Sequence, residues 1–281
     1  MTHSAALFRA SNLRILDYPF AAALASALAI CDEAVVVVGQ SQDDTALIVQ
    51  GLQNDYGCDR VKIVNTVFTF DLGWQERWWN TAVAQTDAEW LLWLDADEVI
   101  DPQAAPALKK LMRDPEIKLI RFPFVHLYAT ADYHIDFPLT HNTRLGRRSI
   151  GYRMVNLRNE ANPNGAACAA VYGRNGTQRS AHSPHWPDVM TVDIPILHYG
   201  WCRDAHALAM SQTKQAAWYA NGNGLQDGRI PDVQPHDYQL ADMLESGRAH
   251  YFDGEHPDIV RPWLDEHTAV WHEMERYQYE I

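Results

Sequence analysis

Positive charge is scarce in this 281-residue chain: 36 acidic residues face 23 basic ones, a formal net charge of -13. That balance argues against a nucleic-acid or anionic-membrane binder, which needs a positive face. Cysteine is sparse too. Cys31, Cys58, Cys168 and Cys202 lie far apart, with no C-x-x-C, so neither a zinc site nor a disulfide framework is indicated. Reduced thiols in a cytoplasmic protein are the simplest reading. No apolar run reaches transmembrane length. Phe20 to Ile30 is Ala/Leu-rich, but no basic segment directly precedes it and Asp32-Glu33 follow, so it is not read as a signal peptide. Repeats and low-complexity segments are missing as well. What is plentiful is core material, with 47% hydrophobic residues and ten tryptophans, which serve to pack a core or to stack on sugars and bases.

The N-terminal half alternates strand and helix signals. Ala5–Arg9 is a short apolar run, and Tyr18–Ile30 has helical Ala/Leu density with Pro19 in its first turn. Ala34 to Gly39 is a β-branched strand. Asp43 or Asp44 can cap a helix from Thr45 to about Tyr56, closed by Gly57. Val61–Val64 is a third strand, and Gln75–Thr86 a helix with Trp78, Trp79, Ala82 and Val83 as its buried stripe. Glu89 to Leu94 is a fourth strand, buried on both faces, that ends in Asp95, Asp97 and Glu98. Asp101-Pro102 reads as the cap and first turn of a helix to about Met112. This order predicts an α/β fold with a doubly wound, mostly parallel sheet flanked by helices. After Lys118 the rhythm changes. Leu119–Tyr128 reads as a strand, Thr143–Val155 as a basic hairpin with Arg144, Arg147, Arg148 and Arg153, and Asn159–Gln178 as an irregular loop. Ile194–Leu197 is a short strand ending at His198. Helices follow at Asp204–Ala220, Tyr238–Ser246 and Pro262–Tyr279. The expected organisation is an α/β half over 1–118, the second half of the same domain over 119–205, and a C-terminal helical extension or lid over 206–281.

Four signals fall at one expected edge of that sheet: Arg9; Gly39 to Thr45 with Ser41 and Asp43; Asp95-Ala96-Asp97-Glu98; and His198-Tyr199-Gly200-Trp201-Cys202-Arg203. Each has a plain reading, as a solvated charge, a helix cap or a hydrogen-bonded histidine. Ligands of open α/β sheets bind at the carboxyl ends of strands. Two carboxylates two residues apart there suit a divalent cation and the phosphates it bridges.

Asp95-Ala96-Asp97 resembles the D-x-D motif of nucleotide-sugar-dependent glycosyltransferases with the GT-A fold, and the N-terminal half, with its Ser41-x-Asp43-x-Thr45 turn, resembles their inverting family-2 branch. A bacterial subgroup of that branch carries matching elements: Pro19-Phe20, Ala25-Ser26, Leu28 and Cys31-Asp32-Glu33; the His-Tyr-Gly-Trp-x-Arg motif at His198 to Trp201 plus Arg203; and Phe252, Gly254, His256 and Pro257. The likeness runs from about residue 5 to residue 260. It departs where the branch usually ends its second strand in an acidic residue that contacts the base; here Val38 and Gly39 stand there.

The resemblance implies a metal-dependent glycosyltransferase that moves a sugar from a nucleoside-diphosphate sugar to an acceptor hydroxyl with inversion. It implies Mn2+ or Mg2+ on Asp95, Asp97 and His198, Asp95 alternatively binding ribose. Donor contacts fall to Arg9, Ser41, Asp43, Lys62, Asp95, Arg203 and His256, the last as part of a lid. The base that inversion needs is sought at Asp136 or Glu160. Partners are then the donor and a glycan or small-molecule acceptor; the charge argues against nucleic acid. Two rivals remain. A sugar-phosphate nucleotidyltransferase should carry a Gly-rich loop after the first strand, where Ala10 to Arg14 has no glycine. A non-catalytic nucleotide- or carbohydrate-binding protein has no need of both acids of D-x-D.

Overall fold

Strands β1 (Ser4–Ala10), β2 (Glu33–Val38), β3 (Val61–Asn65) and β4 (Trp90–Trp93) alternate with helices α1 (Phe20–Ile30), α2 (Thr45–Tyr56) and α3 (Trp74–Val83). The computed structural model describes residues 3–67, 74–137, 140–151, 153–156, 167–172, 178–180, 189–221, 234 and 239–267. All four strands run parallel, in the spatial order β4-β1-β2-β3. Side-chain alternation divides them between two cores. Ala6, Phe8, Val36, Val38 and Leu92 pack on one face with Phe20 and Leu24 of α1. Ala5, Leu7, Val35, Val37 and Leu91 pack on the other with Trp78 and Trp79 of α3. A strand covered on both faces tolerates an unbroken Val run, and β2 is buried along its whole length. Alanines let α1 lie close to the sheet, and Ser26 on it accepts a hydrogen bond from the Ile100 amide at 2.9 Å. Asp101 caps the next turn by accepting from Gln103 N at 2.9 Å, with Pro102 following as expected.

The second half supplies β5 (Glu98–Ile100), α4 (Ala105–Met112), β6 (Leu119–Tyr128), β7 (Thr130–Ile135) and β8 (His141–Arg147). After them come β9 (Arg153–Asn156), β10 (Ala167–Tyr172), β11 (Gln178–Ser180), β12 (Val189–Thr191), β13 (Ile196–Trp201), α5 (Ala205–Asn221), α6 (Leu240–Glu245) and β14 (Ala249–Tyr251). The main sheet reads β14-β7-β6-β8-β4-β1-β2-β3, antiparallel at each pairing from β14 to β4 and parallel from β4 to β3. Strands β12 and β13 lie parallel to β6, and β5 lies antiparallel to β13.

Several expectations are corrected here. The basic segment is no solvated hairpin: β8 is a central strand, antiparallel to both β4 and β6, with Arg144 and Arg147 buried. Arg147 can be buried because it donates to the carbonyls of Ile117, Met112 and Asp114, pairs with Glu89 and lies over the Trp90 ring. Part of the expected loop at 159–178 is strand β10, the middle of a three-stranded sheet with β9 and β11. Strand β13 begins at Ile196 and does not end at His198 but runs through it to Trp201. The tail is not wholly helical, since β14 adds to the sheet against β7. Residues 261–267 are helical, and the rest of the last expected helix lies outside the described residues.

Candidate active site

The carboxyl end of β4 carries the three acids into a ring of cations. Asp95 Oδ1 accepts from Arg9 Nε at 3.1 Å and Nη2 at 2.7 Å, and Asp95 Oδ2 accepts from Arg144 Nη2 at 3.2 Å. Glu98 turns back on the same loop. One of its oxygens accepts from the Asp95 amide at 3.0 Å, and the other is bonded to Arg144. Arg144 is held flat by its surroundings, with its guanidinium carbon 4.4 Å from the centre of the Trp93 ring. Burial by itself raises Asp95, but the charges of Arg9 and Arg144 outweigh it and hold its carboxyl down at about 2. Glu98 goes the other way: burial pushes it up to about 8, against the pull of Arg144 and with the push of Asp95 and Asp97.

Asp97 points elsewhere. Its carbonyl accepts from the Tyr199 amide at 2.8 Å, which ties the loop to β13. In register, His198 stands opposite Glu98 on β5 and opposite His126 on β6. The sheet thereby sets His198 Nε2 3.7 Å from Asp97 Oδ2, too far for a hydrogen bond. Gly200 lies under the pair. A Cβ there would come within 2.5 Å of His198 Cε1 and Nε2 and 2.9 Å of Asp97 Oδ2. Burial lowers His198, more than nearby Asp97 raises it, so the ring is neutral near pH 7. Arg203 is buried behind. It donates to the Gly200 carbonyl from Nε and Nη2 at 2.9 and 2.8 Å and to the Leu16 carbonyl at 2.7 Å, and its Nη2 lies 3.9 Å from Asp97 Oδ2.

The structure thus brings together Arg9, Asp95, Asp97 and His198, with Arg203 supporting from beneath. Ser41 and Asp43 stitch the loop after β2 to the segment after β1. Ser41 Oγ accepts from Asn12 N at 3.0 Å, and Asp43 accepts from the amides of Arg14, Ile15 and Thr45 at 2.9, 3.0 and 3.0 Å. Lys62 is at the wrong edge for a donor contact. It stands level with Val35, near the start of β2, and its Nζ is 2.6 Å from Glu33. His256 is packed against the core, not over the site: it meets the buried Tyr199 hydroxyl at 2.8 Å and the Ala131 carbonyl at 3.1 Å. Asp136 is exposed, 3.1 Å from His250. Glu160 lies outside the described residues. Sequence reasoning missed two members. Arg144 was legible only as part of a basic run. His126, whose Nδ1 is 3.0 Å from His198 Nδ1, stands in a Phe/Val strand with no motif around it.

A parallel β/α half with carboxylates at its strand ends, closed by a mixed second half, is the arrangement of GT-A-like glycosyltransferases. The model of glycosyl transferase family 2 matches residues 20–175, and the chain belongs to that family. No curated protein matches it. Solved structures similar to it include S. aureus TarS 1-349 in complex with UDP, at 20% identity over 44% of this chain and 35% of that one, TM-score 0.35. TarS 1-349 by itself aligns at 14% identity over 77% and 65%, TM-score 0.41. Glucosyl-3-phosphoglycerate synthase from Mycobacterium tuberculosis, in complex with Mg2+ and UDP, aligns at 15% identity over 44% of each chain, TM-score 0.32. The chain spans less than two thirds of each of these relatives. Among the described residues no group of three or more His, Cys, Asp and Glu side chains is arranged to hold a metal, and no helix is long and apolar enough to cross a membrane.

Proposed function

We propose that this chain transfers a sugar from a nucleoside-diphosphate sugar to an acceptor hydroxyl, with inversion, in the cytoplasm and with a divalent cation at the donor diphosphate. Family membership supports the reaction class. The observation that carries the site is the Asp97–His198 pair beside the guanidinium-clamped Asp95. A carboxylate oxygen and a neutral imidazole nitrogen face each other at 3.7 Å without bonding, over a glycine whose place no residue with a Cβ could take without pushing against both. That donor set fits a cation: one carboxylate and one imidazole from the protein, the remaining positions going to phosphate oxygens and water. Mn2+ suits the imidazole better than Mg2+ does. Asp97 and His198 would hold the cation, which would supply charge neutralisation for the departing diphosphate.

The chain's own residues divide the rest. Both carboxylate oxygens of Asp95 are engaged by Arg9 and Arg144, so its part is to hold these guanidiniums at the strand end, and Asp97 with His198 carries the metal. The two cations give the diphosphate side of the site positive potential within an acidic protein. Donor binding belongs to residues 1–118 and acceptor binding to 119–205, with 206–281 as an extension. The base is an acid of the second half, for which Asp136 offers an exposed carboxylate and Glu160 is the other candidate.

The test is calorimetric titration with UDP- and GDP-sugars, with and without Mn2+. Asp97→Ala should lose metal-dependent donor binding while keeping its melting temperature. Metal-independent binding equal to the parent's would overturn the assignment. Slow, metal-dependent hydrolysis of the donor by the parent distinguishes an enzyme from a non-catalytic binder.

A further inference from the structure

Two histidines meet nitrogen to nitrogen beside the proposed cation position. His126 Nδ1 on β6 and His198 Nδ1 on β13 are 3.0 Å apart. Such a contact is attractive only when one nitrogen carries the proton and the other offers its lone pair. The opposite side of the His198 ring decides which. If Nε2 bore the proton, it would donate to Asp97 Oδ2, the nearest acidic oxygen; the 3.7 Å separation is too long for that bond. An Nδ1 proton donated to His126 would leave the Nε2 lone pair facing the space it shares with Asp97. His126 can accept there only as its own Nε2–H tautomer.

We infer that His126 is a positioning residue for the cation site: by accepting the Nδ1 proton of His198 it fixes the tautomer and ring orientation that leave His198 Nε2 free to ligate. This deepens the metal reading and rests on it, because a histidine ligand is regularly oriented by the partner of its other nitrogen. The surroundings hold His126 firmly. It is buried, with ring centroids of Phe124 and Phe137 5.6 and 4.7 Å away, and the parallel register of β6 and β13 places it level with His198.

The experiment uses the full chain and two variants. In His126→Phe an aromatic ring still fits between Phe124 and Phe137, but no acceptor is left. In His126→Asn the amide oxygen stands where Nδ1 stood. The first readout is the ring tautomer of His198 in metal-free protein, from long-range proton–nitrogen correlation, assigned with His198→Ala. The second is Mn2+ affinity by calorimetry in the presence of whichever of UDP, GDP, ADP or CDP most raises the parent's melting temperature. Expected are an Nδ1–H tautomer in the parent, its loss in His126→Phe with a roughly 10- to 100-fold weaker Mn2+ affinity, and recovery of both in His126→Asn. An Nε2–H tautomer in the parent, or a His126→Phe variant that keeps both tautomer and affinity, overturns the inference. A parent with the Nδ1–H tautomer that binds no Mn2+ removes the metal reading instead and leaves the role of His126 in setting the tautomer intact.

Discussion

Replacing Gly200 by alanine tests the site with a single carbon atom. The backbone there is strand, so alanine is conformationally allowed, and the cost is steric. The new Cβ would sit 2.5 Å from two atoms of the His198 ring and 2.9 Å from Asp97 Oδ2, where ordinary contact begins near 3.4 Å. Roughly 1 Å of overlap must be relieved. The ring end of His198 moves more cheaply than the strand, so the ring swings away and gives up its bond to His126. Losing one hydrogen bond costs about 1 kcal/mol and the overpacking about 1–3 kcal/mol, so the variant folds with a modestly lower melting temperature. The effect on ligand is larger in proportion. With its histidine displaced, the cation site should lose roughly 10- to 100-fold in Mn2+ affinity, the range seen when a metal ligand loses its support. Calorimetry of parent, Gly200→Ala, His198→Ala and the double variant closes a cycle. If the loss runs through His198, adding Gly200→Ala to His198→Ala costs little further affinity. Parent-like Mn2+ binding by Gly200→Ala, or losses that simply add, would refute the steric reasoning.

Two further outcomes are expected. Arg144→Met removes the cation shared by the partly buried Asp95 and the buried Glu98 and should cost about 3–5 kcal/mol in urea unfolding above pH 8, where both are ionised, part of it regained by adding Glu98→Gln; a loss under about 1 kcal/mol would mean that Arg144 is not what compensates them. Asp95, held down to about 2 from an ordinary 3.8, contributes stability that is present above pH 4 and lost as pH falls toward 2, worth about 2 kcal/mol. The gap in unfolding free energy between parent and Asp95→Asn should therefore close over that window, and parallel curves would show that the guanidiniums do not hold Asp95 ionised.

How much of this was legible beforehand depends on which physical signal each element carries. Strands covered on both faces announce themselves, so the Val run of β2 and the order of the N-terminal elements could be read directly, as could Leu119–Tyr128. Strand β8 could not. Its buried faces carry Arg144 and Arg147, whose burial is permitted by partners from the loop after β4, the start of β5, the end of α4 and the segment that follows it, none of them local in sequence. At the site, the alternation of Asp95 and Asp97 suggested one shared duty, whereas tertiary partners separate them: two guanidiniums for one, a histidine for the other. Lys62 looked available because Glu33, which neutralises it, lies a strand away. His256 stood in a motif but spends both ring nitrogens on Tyr199 and Ala131.

The position of β8 between β4 and β6 also governs when the site can come into being as the chain folds. Its contacts close spans of 49 residues for Arg144 to Asp95, 72 for His198 to His126, 86 for Arg9 to Asp95 and 187 for Arg203 to Leu16. Closing each span costs chain entropy before any contact offsets it, so the pairing is slow compared with helix formation. A chain with only its first four strands paired has the Val-rich centre of the sheet but an unprotected β4 edge, which is the edge that β8 covers. Clamping of Asp95 and Glu98 by Arg144 and protection of the β4 edge are therefore acquired in the same event, the docking of β8.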